Sequence, residues 1–322
     1  MKLRDFGVLL ALAALWGGSF LFIRVASPAL GPVTLAAARV SLAGVALLIF
    51  AAARRQGIQA RKRWLRFIIL GAFNAALPYA LIAYAELRLS AGLGAILNAT
   101  TPLFTAVVAA IWLKDALTPL KVVGLLMGVA GVTALVGWSA LPVDAATLLA
   151  VGASLAGAFC YAIGSVYARR ALAGAAPLAS ATGQQLGAAV VLLPFAIPIV
   201  ATHPQSVHLA PVAVGATLAL ALACTSVAYL LYFHLITHVG PTATVSVTLL
   251  VPIFGLLWSA IFLHESAPLG SFVGLAIILA SVLLIVGVRL PKRARRAKAT
   301  QDTHQATQVG AEAAVESVSL VD

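Results

Sequence analysis

The chain has 322 residues, of which 62% are hydrophobic and 9% are charged, and its mean hydropathy is +1.06. A soluble domain of this length cannot bury so much apolar surface, so the composition excludes a water-soluble protein and predicts contact with lipid. The net charge of +12 does not by itself indicate nucleic acid, because basic residues of membrane proteins concentrate in cytoplasmic loops. Cys160 and Cys224 lie inside apolar runs, which excludes a disulfide framework and a multi-ligand metal cluster.

Ten apolar stretches of near-spanning length follow one another along the chain. A transmembrane helix needs about 20 apolar residues, and these stretches lack the polar alternation of a membrane barrel strand. We therefore predict an all-α integral membrane protein. The predicted helices cover about 6–26, 33–53, 67–86, 91–113, 120–138, 146–168, 181–201, 211–233, 241–263 and 269–289. The first has a basic lead like that of a signal peptide, but its full-span length predicts that it is retained.

Lys and Arg are divided unequally between the predicted loops. If the N-terminus is cytoplasmic, 18 of the 21 basic residues lie in cytoplasmic segments, and only Arg88 lies in a loop on the other side. Because positive residues stay in the cytoplasm, we predict that both termini are cytoplasmic. This asymmetry accounts for the charge excess without a nucleic-acid partner, although the basic cluster 291–298 could also contact anionic lipid head groups.

The sequence contains an internal repeat. Shifting it by 150 positions aligns residues 102–137 with 252–287 without a gap, and 12 of these 36 positions are identical. The same shift places Asp115 opposite Glu265. Because each unit has an odd number of helices, the second copy enters the membrane from the opposite side, as in alternating-access transporters. We predict two five-helix repeats, in domains 1–140 and 141–290, and a disordered cytoplasmic tail in 291–322.

Short motifs in both halves resemble one known family. In chain order they are Leu15-Trp16-Gly17-Gly18-Ser19-Phe20, Pro32 with Arg39, Pro102 with Leu113 and Asp115, and then Pro252, Leu263, Glu265 and Gly274. Together with the ten helices and the duplication, they resemble the EamA family of the drug/metabolite transporter superfamily over about residues 6–289.

The resemblance implies a multi-pass protein of the bacterial inner membrane that exports or exchanges small metabolites such as amino acids or drug-like compounds. It leaves the substrate open. We expect the two halves of the cavity to differ chemically, because Tyr161 stands near the position of Trp16 and Gln185 falls opposite Arg39 at an offset of 146.

Polar and aromatic residues inside the predicted helices are candidates for the substrate site. They are Trp16, Arg39, Asn74, Tyr79, Asn98, Tyr161, Gln185 and Tyr229, with Tyr84 and Gln184 as weaker candidates. Arg39 lies too deep to face lipid, and it fits either a counter-charge for a substrate carboxylate or a structural anchor. The two asparagines fit either helix packing or a cavity wall. Tyr79 and Tyr229 coincide under the 150-residue shift, and they fit either stacking on a substrate or closing a gate.

The acidic residues lie at helix ends, in loops or in the tail. Ion-driven carriers usually keep a carboxylate in mid-membrane, so we expect a facilitator or exchanger. Pro102 and Pro252 are expected to be equivalent hinges, because proline removes a backbone hydrogen bond. Glu86 leaves an alternative open, since a buried carboxyl beside the cavity can titrate and become a coupling site.

The rival function is a membrane-embedded enzyme that acts on lipid or isoprenoid substrates. Such an enzyme needs a nucleophile with its base, or carboxylates that hold a metal, and the sequence has neither motif. His234 and His238 have the spacing of a zinc pair, but no third ligand lies beside them, and they are expected to be interfacial residues. We predict a transporter that is not an enzyme and needs no metal or cofactor; its partners are the bilayer and a small molecule, and its oligomeric state stays open.

Reporter fusions test the orientation. A fusion after Gln56 should report the cytoplasm and one after Asp144 the periplasm, because the basic residues divide between the loops in that sense. The opposite pattern, or the same side for both fusions, would contradict the predicted topology.

Overall fold

The computed structural model describes residues 3–138, 142, 144–240, 244 and 246–286. The tail predicted to be disordered, the end of the last predicted helix beyond residue 286 and most of the start of the ninth lie outside these described residues. The predicted domain boundaries and the disorder of the tail therefore stay predictions.

Nine described helices are long and apolar enough to cross a membrane, and a tenth is apolar but has only 17 residues. In chain order they are α1 (Leu3–Leu30), α2 (Pro32–Ala53), α3 (Arg61–Ala85), α4 (Ala91–Trp112), α5 (Pro119–Gly137), α6 (Ala145–Ala171), α7 (Pro177–Thr202), α8 (Pro211–Val239), α9 (Val247–Leu263) and α10 (Leu269–Val286). This architecture confirms the predicted all-α membrane fold.

Helices of one repeat pack mainly on helices of the other. α5 packs along α10 and α2 along α7, so each of these pairs joins equivalent helices of the two repeats. α1 packs on α9, and α6, which corresponds to α1, packs on α4, which corresponds to α9. Likewise α3 packs on α7, and α8 packs on α2. The contacts therefore follow the pseudo-two-fold relation of two inverted copies.

Successive helices run in alternating directions, so the connections fall at two ends. We call the end with the α1–α2, α3–α4, α5–α6, α7–α8 and α9–α10 connections the Glu265 end, and the opposite one the Asp115 end. Contacts between distant connections agree with this division. At the Glu265 end, the His208 backbone N–H donates to the Ala29 carbonyl at 2.8 Å. At the Asp115 end, Arg169 pairs with Asp115 at 3.7 Å.

The third helix of each repeat contains a π-helical segment. The segments are Ala72–Ala76 in α3 and Ala219–Val227 in α8, and residues 72–76 coincide with 222–226 under the 150-residue shift. In α8 the hydroxyl of Thr225 donates to the carbonyl of Leu220, five residues back, at 2.8 Å. π-Helical turns are rare in proteins, and those that occur lie frequently at functional sites. The equivalent positions of these two segments therefore indicate that a functional site lies at their depth, between the repeats.

The fourth helix of the first repeat is interrupted. Its two α-helical parts are Ala91–Asn98 and Thr101–Trp112, and Pro102 lies in the first turn of the second part, where its missing N–H has no intrahelical acceptor to lose. Pro252 lies inside α9, which continues through it. The two prolines therefore occupy different backbone environments, and their role as hinges stays a prediction.

The close approach of α3 and α7 requires a glycine at position 187. A Cβ atom built on Gly187 would lie 2.3 Å from the carbonyl oxygen of Phe67, a distance that real contacts do not show. The obstacle is main chain and not the end of a flexible side chain, so any side chain at this position would push the two helices apart.

Gly187→Ala is expected to lower the thermal stability of the purified protein. Overpacking of this kind costs about 1–3 kcal/mol, and here the backbone of one helix must move. The measurement is a melting curve in detergent, followed by size-exclusion chromatography. Gly152→Ala in α6 is the matched control, because no atom lies within 4 Å of a Cβ built there. Equal melting temperatures for the two variants would refute the packing argument.

Candidate functional site

Arg39 lies in α2, where this helix meets α3 and α8. The residue is 6% exposed, and its Nε donates to the hydroxyl of Thr225 at 3.0 Å. Its Cζ lies 3.7 Å from the centroid of the Tyr79 ring, an arrangement in which the ring face attracts the cation. The described residues offer its two terminal nitrogens no hydrogen-bond partner. The guanidinium is thus held by the hydrogen bond of its Nε and by the contact of its face with the Tyr79 ring. Its two terminal nitrogens remain available to donate to a ligand.

Thr225 belongs to this group but is not among the residues predicted from the sequence. It lies in the π-helical segment of α8, donates to Leu220 and accepts from Arg39. The polar run Cys224-Thr225-Ser226 inside an otherwise apolar span is the signal that could have found it.

Two candidate tyrosines lie beside this guanidinium. The rings of Tyr79 in α3 and Tyr161 in α6 are 6.3 Å apart and meet edge to face at 63°. Both pack against the cluster of small residues between α2 and α7. Arg39, Tyr79 and Tyr161 therefore join helices of both repeats at one place, as expected for a site between inverted repeats.

A second polar group links α3, α7 and α8. The side-chain amide of Asn74 donates to the Oε1 of Gln184 at 2.8 Å, and the Gln184 amide donates to the hydroxyl of Tyr229 at 2.6 Å. Gly164 of α6 lies against Asn74, since a Cβ built there would lie 2.7 Å from the Asn74 Cβ. Asn74 and Tyr229 are thus brought together through Gln184, a weaker candidate from the sequence.

Gln185 is fully buried next to this group. Neither its amide nitrogen nor its amide oxygen has a hydrogen-bond partner among the described residues. A buried polar group without a partner costs about 1–3 kcal/mol, and a polar ligand group that reached Gln185 would recover this free energy.

Three other predicted residues lie apart from Arg39. Trp16 packs against Tyr232 of α8, with ring centroids 5.5 Å apart. Asn98 ends the first part of α4, and its carbonyl accepts the Thr101 hydroxyl at 2.7 Å. Tyr84 is exposed at the surface of α3. The described structure therefore brings these three into no contact with the guanidinium.

Charged residues form a network at the Glu265 end. The Nε of Arg24 lies 3.2 Å from Oε1 of Glu265, and its Nη1 donates to the backbone carbonyl of Glu86 at 2.5 Å. The second carboxylate oxygen of Glu265 accepts from the Ala91 N–H at 3.0 Å and from the hydroxyl of Ser259. The network ties α1, the α3–α4 turn and the end of α9 together.

The acid of this network has a counterpart at the Asp115 end. Lys114 and His264 both adopt the left-handed conformation, with φ of 59° and 54°, after the last turns of α4 and α9. The backbone N–H of the acid that follows, Asp115 or Glu265, donates to a backbone carbonyl of the preceding helix at 3.3 Å. Each acid then pairs with an arginine near the end of the first helix of the other repeat. The alignment of the two acids in the sequence thus reflects two equivalent helix ends.

The bundle of apolar helices, its inverted contacts and the polar groups between its halves define a multi-pass membrane transporter. The chain belongs to the EamA-like transporter family, whose profile matches residues 5–137 and 148–287, one match in each repeat. This confirms the resemblance found in the sequence motifs.

Similar proteins cover nearly the whole helical part of the chain. A Bacillus subtilis (strain 168) protein named uncharacterized transporter YvbV is 25% identical over 88% of this chain and 92% of its own. An Escherichia coli (strain K12) protein named uncharacterized inner membrane transporter YedA is 27% identical over 87% of this chain and 90% of its own. A protein of Streptantibioticus cattleyicolor named a probable terminal-alkyne amino-acid exporter is 28% identical over 84% and 89%.

A solved crystal structure shares the fold. It superposes with a TM-score of 0.63 over 92% of this chain and 100% of its own, at 19% sequence identity. The many apolar helices and the likeness to YvbV and YedA agree with a multi-pass protein of the inner membrane.

Thr225→Val is expected to destabilise the protein through Arg39. The variant keeps the shape of the side chain but leaves Nε of a buried cation unpaired, and hydrogen bonds to charged groups contribute about 1.5–3 kcal/mol. Thr217→Val is the matched control, because this buried hydroxyl of the same helix donates to its own backbone at 2.8 Å. Melting curves of Thr225→Val, Arg39→Gln and the double variant should show strong non-additivity. Additive effects would show that the hydrogen bond contributes little.

Proposed function

We propose that the protein exports or exchanges small metabolites that carry a carboxylate, amino acids among them, by alternating access. The observation that carries this proposal is the state of Arg39, a permanently charged guanidinium that is buried between the repeats and whose two terminal nitrogens pair with no residue in the described part of the chain. A planar guanidinium matches a carboxylate with two parallel hydrogen bonds. The substrate carboxylate supplies the negative counter-charge for this guanidinium.

Gln185 supports a substrate with one carboxylate and a neutral polar group. It occupies the position of the second repeat that corresponds to Arg39, and its amide can donate and accept but carries no charge. A symmetric dianion would leave its second charge opposite this neutral amide. The relative named as an amino-acid exporter is consistent with such a substrate.

Alternating access is supported by the packing between the repeats. The contacts that join α1 to α9 and α4 to α6 are equivalent, so loosening one set while keeping the other opens one end at a time. The ion pairs Arg24–Glu265 and Arg169–Asp115 lie at those two ends. The transporter names of the relatives favour this function over a membrane-embedded enzyme.

Transport by purified protein in proteoliposomes tests the proposal. A panel of labelled amino acids and small carboxylic acids is screened for counterflow, with no imposed sodium or pH gradient. Arg39→Gln should reduce counterflow of the active compound more than tenfold, because the truncation of a buried charge pair costs about 2–5 kcal/mol. The folded state of each variant is checked by size-exclusion chromatography.

Arg88→Gln is the control for the loss of an arginine. Arg88 is exposed at the Glu265 end, where it pairs with Asp144, and this variant should transport at the wild-type rate. Arg39→Lys should restore little activity, because it keeps the charge but loses the planar fork. Normal transport by Arg39→Gln would overturn the assignment of this residue to the substrate.

A further inference from the structure

Glu86 is fully buried directly after the end of α3. Neither oxygen of its carboxyl has a hydrogen-bond partner among the described residues. A Cβ built on Gly94 of α4 would lie 3.0 Å from its Oε1 and 3.4 Å from the ring of Phe20, so the carboxyl and this ring pack on the same glycine. An ionised carboxylate in such a place is expensive, and the neutral acid is the favoured form.

Three charged groups face this carboxyl from the neighbouring helices. Burial, reinforced by the charge of Glu265, raises the pKa of Glu86 well above its usual range, and the guanidinium groups of Arg24 and Arg39 offset this only in part. Glu86 therefore holds its proton at pH values at which exposed carboxyls are ionised, and it releases the proton as the pH rises further.

Arg24 is placed to respond to that release. Its Nη1 already donates to the backbone carbonyl of Glu86 at 2.5 Å, while its Nε lies 3.2 Å from Glu265. A new carboxylate on Glu86 would compete with Glu265 for the same guanidinium. Glu265 can lose Arg24, because it keeps the N–H of Ala91 and the hydroxyl of Ser259 as donors.

We propose that Glu86 is a proton-binding site that controls the Glu265 end by competing for Arg24. The O–H bond of the Glu86 carboxyl breaks, the proton passes to water at the Glu265 end, and the carboxylate remains. Arg24 exchanges its Glu265 acceptor for Glu86, which releases α1 from the end of α9. Rebinding of a proton restores the pair and closes the end.

The proposal rests on the alternating access proposed above, since it gives a proton control over one of the two ends. It also replaces the facilitator expected from the sequence with a proton-linked carrier, in which the end opens when Glu86 is ionised. The expectation of a facilitator left Glu86 open as a coupling site. The burial of its carboxyl without a hydrogen-bond partner among the described residues favours the proton-linked carrier.

Infrared spectroscopy of the full-length protein in lipid nanodiscs tests the proton site. The carbonyl-stretching band of a protonated carboxyl should persist above the titration range of exposed acids, vanish at higher pH and be absent in Glu86→Gln. Asp144→Asn is the matched control, because Asp144 is a carboxyl at the same end that is exposed and paired with Arg88. A band that survives in Glu86→Gln, or no such band in the wild type, would overturn the proposal.

Spin labels test the competition for Arg24. In a background with Cys160→Ala and Cys224→Ala, labels are placed at Ala29→Cys near the end of α1 and Ser266→Cys after α9, and their distance is measured by pulsed electron paramagnetic resonance. The population with the longer distance should grow as the pH rises through the midpoint of the infrared band. Glu86→Gln should hold the short distance at every pH, and Asp144→Asn should follow the wild type.

Glu265→Gln tests the competition independently, in case a Glu86 variant fails to fold. It weakens the pair with Arg24 but keeps Glu86, so the long distance should appear at low pH while the infrared band remains. A short distance in this variant at low pH, or equal pH responses of Glu86→Gln and the wild type, would refute the competition.

Neither measurement uses a substrate, so the two proposals fail separately. If the screen finds no counterflow but the band and the distance respond as described, the transport assignment is wrong and the proton site stands. If counterflow succeeds but Glu86→Gln titrates like the wild type, the proton site is wrong and the transport assignment stands.

Discussion

Lipid offers no hydrogen-bond partners, so a backbone that departs from the α-helix at membrane depth must be satisfied by protein. In this bundle the departures lie where the two repeats meet. The π-helical segment of α8 is supported by the hydroxyls of Thr225 and Ser226, which donate to carbonyls five residues back, and the break in α4 by the hydroxyl of Thr100, which donates to Leu97. The same constraint confines polar side chains to this interface, which is why the candidate site lies there.

The apolar spans could be predicted well from the sequence, because length and hydropathy alone decide whether a helix crosses the bilayer. The π-helical segments and the break in α4 could not, since they depend on partners contributed by distant helices. Arg39, Tyr79 and Tyr161 lie near one another in the structure, and their role in substrate binding stays a prediction. Thr225 escaped prediction because a single hydroxyl can satisfy itself on its own helix, and its role emerges only when α2 lies beside α8.

The repeat keeps its backbone geometry at two equivalent helix ends, while its side-chain chemistry differs in the interior. The left-handed residues Lys114 and His264 end their helices in the same way, and both are followed by an acid, because the turn and the ion pair serve the fold in each copy. Inside the bundle, by contrast, the sequence aligns Arg39 with the uncharged Gln185 at an offset of 146. An inverted duplication thus gives a symmetric frame with an interior whose two halves differ in charge.

The two ion pairs at the ends of the bundle differ in their contact with water. The side chains of Arg24 and Glu265 are 31% and 18% exposed, whereas those of Arg169 and Asp115 are 62% and 44% exposed. Mobile ions screen exposed charges over a Debye length of about 8 Å at physiological ionic strength and act much less on shielded ones. Added salt therefore weakens the Arg169–Asp115 pair more than the Arg24–Glu265 pair. In the proposed alternating-access cycle, the electrolyte that bathes the protein would bias which end opens at rest.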